Sequence, residues 1–585
     1  MSQSAGSSME SPLNVTQDEF PLWIRPKRFS PLVLILIGVM LALIVPPVWY
    51  LFESSFHSTL MNGDQGPFTT EFWVGLYKSP LFLRYTLNTA IYALGSAVLA
   101  IALGVGQAWI VARTDTPLRK YVFLFSIISL GIPSVLYTSS WLLILGKAGP
   151  VNEILMALTG RDAAVINVYS MWGMILIEGF TWAPLAFLLI SSVFSSMDAS
   201  FEEASLMSGA AMGRTFREVT LRLALPGMLA LAFLITIRAF ESFEVPSLAG
   251  MPGNIFVLTT EIYSDVQFAV PPNVGKASAL SVALLIMVVF LLWLYGRLTR
   301  RAERFQTISG RGHSARVLKI GRLRYLTAAV IVFFFLILIV LPLAMLIWMS
   351  LMPYIQHFSV DAIGTMTLDN YRHVLSSTVL QRAMVNSIIL GIGTATIATL
   401  FTLVSAWYVV RKYRGAWLLD QLATMPLIFP AIVLGVAFLQ IFIAVPFAFY
   451  GTLLSIIFAS FVRYMPYGMR YAYAGILQIH PELEQASAIS GASQFTTFVR
   501  IVVPLVTPAL ITCWIFVFLL VVGSVSLPVL LAGPNSVVVA VLLFEMWGAG
   551  ETLKVAALGL IWTALMTVFS VAFYVLSRRY GLRVR

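Results

Sequence analysis

Residues Phe201 to Pro226 read F-E-E-A-S-L-M-S-G-A-A-M-G-R-T-F-R-E-V-T-L-R-L-A-L-P, and Leu483 to Pro508 read L-E-Q-A-S-A-I-S-G-A-S-Q-F-T-T-F-V-R-I-V-V-P-L-V-T-P. An offset of 282 lays one on the other, with Glu202 on Glu484, Ala204 on Ala486, Ser205 on Ser487, Ser208 on Ser490, Gly209 on Gly491, Thr215 on Thr497, Phe216 on Phe498 and Pro226 on Pro508. Each is a polar, amphipathic interruption in an otherwise apolar chain. What surrounds them decides the fold class.

The chain has 585 residues, 59% of them hydrophobic and only 11% charged. A soluble domain is about one quarter charged. The apolar runs last about 20 residues or more, the length that crosses a bilayer as a helix. A transmembrane barrel would alternate apolar and polar residues instead. The expectation is an all-α polytopic membrane protein. With one cysteine, Cys513, there is no disulfide within the chain, and the five histidines show no ligand spacing.

Twelve spans are expected, at about 31–52, 86–111, 121–146, 168–194, 226–247, 277–298, 326–349, 384–410, 418–442, 451–476, 505–527 and 555–577. An uncleaved first helix and an even count put both termini in the cytoplasm. On that layout 27 of the 37 lysines and arginines fall on the cytoplasmic face, as the positive-inside rule requires. The formal charge of +11 is therefore a topology signal facing anionic lipid, and nucleic acid need not be invoked. The domains expected are a cytoplasmic tail (1–30), a six-span half (31–299), a basic linker (300–325), a second six-span half (326–577) and a basic tail (578–585).

The duplication extends beyond the opening stretch. Asn88-Thr89 and Ala108-Trp109 with Arg113 match Asn386-Ser387 and Ala406-Trp407 with Arg411 at an offset of 298. Pro133 matches Pro430 at 297, and Pro246 matches Pro528 at 282. Six spans per half make the repeats parallel, related by an axis along the membrane normal, with a pathway at their interface. Both polar segments fall between the fourth and fifth span of their half, on the cytoplasmic face. Glu202 and Glu203 sit in a first turn, Gly209 ends a short helix, and Phe216, Val219 and Leu223 continue a second one. Pro226 would open the next span. A helix resting on lipid needs only an apolar face and basic flanks. The same acid, small residues, glycine and aromatic at fixed positions in two copies point instead to a protein-docking surface.

At these residues the sequence resembles the membrane permeases of binding-protein-dependent ABC importers, whose signature is Glu-Ala-Ala, three residues, Gly, nine residues, Ile-x-Leu-Pro. The first copy offers Glu203-Ala204-Ser205, Gly209, Val219 and Leu221, with Arg222 where proline is expected. The second offers Gln485-Ala486-Ser487, Gly491, Ile501, Val503 and Pro504. The resemblance implies that Glu202, Glu203, Ala204, Gly209, Glu484, Gln485, Ala486 and Gly491 form the docking loops for a cytoplasmic ABC ATPase dimer. Glu484 would stand in for the uncharged Gln485, and the two contacts would differ in strength. An extracytoplasmic solute-binding protein is the other implied partner. Two halves in one chain look like the ferric-iron-type permeases and the similar thiamine permeases. Arg238 through Pro246 and Gly149-Pro150-Val151-Asn152 look more like the iron-type group.

No G-x-x-x-x-G-K-[ST] loop occurs, so ATP and Mg2+ belong to the partner, and no cofactor, metal or catalytic constellation is assigned to this chain. Glu178, Arg238, Glu241, Glu244 and Arg463 lie within or near spans, where each needs a partner or a wet cavity. Arg238, Glu241 and Glu244 follow one another at i+3 on one helix face and line the path or gate, or else form a buried structural pair with Glu178. Their equivalents are Leu520, Gly523 and Ser526, so the path is chemically asymmetric. The tyrosines at 464, 467, 471 and 473 read as packing and interfacial aromatics. A gradient-driven secondary transporter is the rival, and its mark would be broken helices and paired acids at the midplane of both halves.

Overall fold

The structure is a computed structural model that describes residues 30–60, 65–197, 200–302, 320–356, 358–444 and 449–579. Nearly all of the two tails expected at 1–30 and 578–585, and most of the linker expected at 300–325, lie outside those residues. The protein is all-α, and among the described residues the strands are a short antiparallel pair formed by His57–Thr59 and Gln65–Phe68.

Among the described residues ten helices are long and apolar enough to cross a membrane, and an eleventh span is formed if the bent pair Ala416–Ile428 and Ala431–Ala444 is counted as one. The remaining expected span, the tenth, at 451–476, is the 25-residue helix Leu453–Leu477. It falls short on composition because Arg463, Tyr464, Tyr467, Arg470, Tyr471 and Tyr473 interrupt it. Of these, Arg463 is turned inward, only 5% exposed, the tyrosines are half-buried and Arg470 is exposed.

Four expected spans are broken, and proline accounts for the clearest breaks. The third span of the first half is two helices, Arg119–Leu130 and Ser134–Leu145, separated at Pro133. Its repeat turns by 104° between Ile428 and Ala431. Proline drives the residue before it out of the helical region, and Phe429, before Pro430, has φ −89° and ψ 120°. The fifth spans also stop short. Leu221–Glu241 ends at an extended Ser242, and Val503–Val522 ends at Gly523. Arg238 and Glu241 thus share a helix, whereas Glu244 lies beyond its break. Pro226 and Pro508 do not open these helices either but sit inside them. A π-turn precedes each helix, at Phe216–Thr220 and Phe498–Val502.

Close helix crossings need small residues, since lipid supplies no hydrophobic drive to press helices together. Where Pro80–Arg113 crosses Met171–Ser196, a Cβ on Gly104 would lie 2.5 Å from Ala186 Cβ. Where Thr378–Val410 crosses Leu453–Leu477, a Cβ on Gly468 would lie 2.5 Å from Thr402 Oγ1. Thr402 is the repeat of Gly104, and Gly468 that of Ala186. The same crossing is made twice with the small residue on opposite helices.

The halves are interlocked. The first helix, Pro31–Ser54, packs on Ala416–Thr424 and Ala431–Ala444 of the second half, and Leu341–Leu351 of the second half packs on Ser134–Leu145 of the first.

Candidate functional site

The two polar segments have nearly the same internal anatomy. Each short helix, Ser200–Met207 and Pro481–Ile489, ends at a glycine in the left-handed region, Gly209 at φ +85° and Gly491 at φ +80°. The N–H of Ala210 then bonds Ser205 O at 3.1 Å, and that of Ala492 bonds Ser487 O at 3.1 Å. These are the helix-end bonds that a left-handed residue permits. Ser205 meets Thr215 at 2.9 Å and Ser487 meets Thr497 at 2.8 Å, closing each segment on its second helix. Phe216 packs on Trp109 and Phe498 on Trp407, with ring centroids 5.2 and 5.3 Å apart.

Glu202 and Glu484 pin these segments from inside. Glu202, 2% exposed, pairs with Arg113 at 3.3 Å and accepts from Thr220 at 2.6 Å. Glu484, 5% exposed, accepts from Arg411 Nη2 at 2.5 Å and from Trp407 at 3.2 Å. Both arginines also donate to a main-chain carbonyl at 3.2 Å, Arg113 to Met197 and Arg411 to Ile479. This corrects the expectation that the two carboxylates are docking groups, and in particular that Glu484 stands in for Gln485. Burying a carboxylate requires a charge and donors around it, and each arginine ends the second span where its glutamate is needed. Glu203 and Gln485 are half-buried, and Ala204, Ala486, Gly209 and Gly491 are exposed. So are Phe201 and Met207, and their repeats Leu483 and Ile489.

The second constellation lies where the halves meet. Glu241, 7% exposed, receives Arg238 Nη1 at 3.4 Å and, from the other half, Arg463 Nη2 at 2.8 Å. Arg238 also bonds the Tyr467 hydroxyl of the second half. Ser526 Oγ donates to Glu244 Oε1 at 3.1 Å. Glu244 and Ser526 are equivalent positions, 282 residues apart. Two symmetry-related residues can touch only on the axis that relates them, so this bond marks the axis between the halves. Glu178 does not join Arg238. It accepts from Trp182 Nε1 at 2.9 Å, while Tyr92 bonds Ser242 at 3.1 Å beside the helix break.

At the interface between the halves Arg238 pairs with Glu241 and Glu244 bonds Ser526, and Arg463 and Tyr467 join the cluster from the second half. Arg463 could have been found as a mid-span arginine with no acid on its own helix. Tyr467 carried no signal, and a tyrosine read as packing turns out to hold a charge. Tyr464 likewise bonds Leu520 O at 3.3 Å.

Curated relatives span most of the chain. The ferric transport system permease protein FbpB of Actinobacillus pleuropneumoniae is 25% identical over 556 residues, covering 92% of this chain and 78% of that protein. The Fe(3+)-transport system permease protein FbpB 2 of Haemophilus influenzae is 24% identical, covering 89% and 93%. The trehalose transport system permease protein SugB of Mycobacterium tuberculosis is 27% identical over 42% of this chain and 86% of its own. A chain from the crystal structure of a bacterial alginate ABC transporter aligns over 46% of this chain and 93% of its own, at 20% identity and a TM-score of 0.39. The model for binding-protein-dependent transport system inner membrane components matches twice, at residues 100–304 and 398–582. With both halves matched, the chain is a fused member of that family, an ABC importer permease of the multi-pass inner-membrane kind.

Proposed function

We propose that this permease is driven by a separate cytoplasmic ABC ATPase dimer that docks on the two segments around Gly209 and Gly491. A solute-binding protein delivers a small cargo from the opposite face, and both termini lie in the cytoplasm. ATP and Mg2+ act on the ATPase, and no cofactor or metal is assigned to this chain. The observation that carries the reading is the matched pair of segments. Each is braced from inside by an arginine–glutamate pair and turns an apolar face outward, with Met207 89% and Ile489 69% exposed. A rigid amphipathic helix offered to a groove is a common recognition mode, and rigidity is what passes a partner's motion to the spans behind it.

Ferric iron is the proposed cargo, because the full-length relatives quoted above are named for it. Half-length relatives named for trehalose and for spermidine/putrescine are about as similar, so thiamine, polyamines and phosphonates stay as alternatives. One observation favours the gradient-driven reading: the third and fifth spans are broken in both halves. The acids at the fifth-span break stand in one half only, which weighs against it.

Gly209→Trp together with Gly491→Trp tests the reading. No other atom lies within 4 Å of a Cβ at either glycine, so the new side chain projects outward, and the left-handed backbone adds strain of about 1–2 kcal/mol per site. Uptake and co-purification of the ATPase should both be lost. Uptake that survives the pair, in a preparation carrying no ATPase, would sink the proposal.

A further inference from the structure

Arg463 lies midway along Leu453–Leu477, a helix of the second half, and is 5% exposed. A guanidinium does not lose its proton, so its charge has to be met where it stands. It is met on two sides. Nη1 donates to the main-chain carbonyls of Pro426 at 3.3 Å and Phe429 at 2.8 Å. These carbonyls lie where the third span of the second half turns by 104°, and a broken helix leaves such groups without an intrahelical partner. Nη2 donates to Glu241 Oε2 at 2.8 Å, the last residue of the fifth-span helix of the first half. One side chain ties the bend in one half to the end of a spanning helix in the other.

The repeat shows that this tie has no twin. The position equivalent to Arg463 is Thr181, whose Oγ1 donates to Ile177 O at 2.9 Å within its own helix. The position equivalent to Glu241 is Gly523, which has no side chain. The tie stands three residues along the chain from Glu244, whose bond to Ser526 marks the axis.

We propose that Arg463 and Glu241 form a single, one-sided latch across the path. It holds the halves together in this conformation and breaks when the path opens. Its breaking releases the bend at Pro426–Phe429 in the second half only, so the two halves do not open alike. Arg463 acts here as a positioning residue, through Glu241 and the bend. The inference rests on the importer reading only in taking the space between the halves as the path.

The test uses the full chain in membranes, with Cys513→Ser as background and Glu244→Cys with Ser526→Cys as a reporter across the axis. The rate of oxidant-driven disulfide formation reports how much of the time the halves stay closed. Glu241→Gln removes the charge and keeps the shape. It should slow the disulfide by about fivefold or more, the lower end of ordinary conformational coupling. Arg463→Gln should do the same, and the double variant should be slowed by less than the two single effects combined, since the Arg463–Glu241 bond is common to both. Glu261→Gln, which breaks a pair with Lys276 inside the first half, should leave the rate alone. If Arg463→Gln aggregates, Arg463→Lys replaces it: charge is kept, the planar fork is lost, and intermediate slowing is expected. An unchanged rate in Glu241→Gln, a wild-type rate in Arg463→Lys, or effects that add in the double variant would each overturn the latch. Loss of ATPase co-purification from the parent chain would instead count against the importer reading and leave the cross-linking result standing.

Discussion

Arg411 gives Glu484 two hydrogen bonds, from Nε at 2.9 Å and Nη2 at 2.5 Å, and spends a third on Ile479 O. A buried pair of this kind contributes little relative to an apolar replacement, but stripping one partner leaves an uncompensated charge, at a cost of about 3–5 kcal/mol. Glu484→Ala and Glu202→Ala should therefore lower the melting temperature of the detergent-solubilised protein sharply. Met207→Asp and Ile489→Asp fall on exposed faces, where a substitution usually stays within about 0.5 kcal/mol. They should leave melting unchanged and weaken ATPase retention. If the glutamate variants melt normally and lose the ATPase instead, Glu202 and Glu484 face outward after all. The sequence left these neighbours unresolved because adjacent helix residues lie on different faces, and periodicity in so short a helix cannot say which face is buried. The duplication held the missing signal. The acid present in both copies is the inner one, and each copy has an arginine, 113 or 411, at the matching end of its second span.

The helices themselves were largely legible, since a run of apolar residues long enough to span has few alternatives. Their breaks were not, because the same composition serves a straight span and a bent one. Pro133 and Pro430 were visible, but whether proline kinks or ends a helix depends on what satisfies the carbonyls it frees. For the bend at Pro430 part of that answer is Arg463, 33 residues further on. Close crossings were equally hidden. Gly104 and Gly106 look alike in sequence, yet a Cβ at 106 meets nothing within 4 Å, while one at 104 would also lie 2.7 Å from the main-chain nitrogen of Phe187. Backbone cannot swing aside as a side chain can. Gly104→Val should cost about 1–3 kcal/mol, the usual range for overpacking. Gly106→Ala should be neutral or slightly stabilising, because alanine is the better helix former. Equal melting temperatures for the two variants would show that the crossing is looser than the structure has it.

At the scale of the molecule the duplication is used twice, once for likeness and once for difference. Likeness gives two braced segments on one face and two first spans that each lean on the opposite half. Difference gives a charged cluster on the axis, with acids from the first half and the arginine that crosses to them from the second. The parallel halves could be read from span parity, but the exchange of first spans could not, because nothing in an apolar helix names its neighbour. The exchange carries a prediction about the connection between halves. Pro31–Ser54 packs on the second half as well as on its own, and Leu341–Leu351 on the first as well as on its own, while Glu241–Arg463 and Glu244–Ser526 join the halves at the centre. These contacts should hold the halves together without a covalent connection, so that joining them in one chain adds chiefly effective concentration. A gene split between the codons for residues 302 and 320, with both pieces expressed together, should yield half-chains that co-purify and still support uptake. Adding Glu241→Gln to the split form should weaken co-purification more than it destabilises the intact chain, because the split form alone must regain its partner by collision. Half-chains that separate on gel filtration, with the intact chain stable, would assign the assembly to the linker.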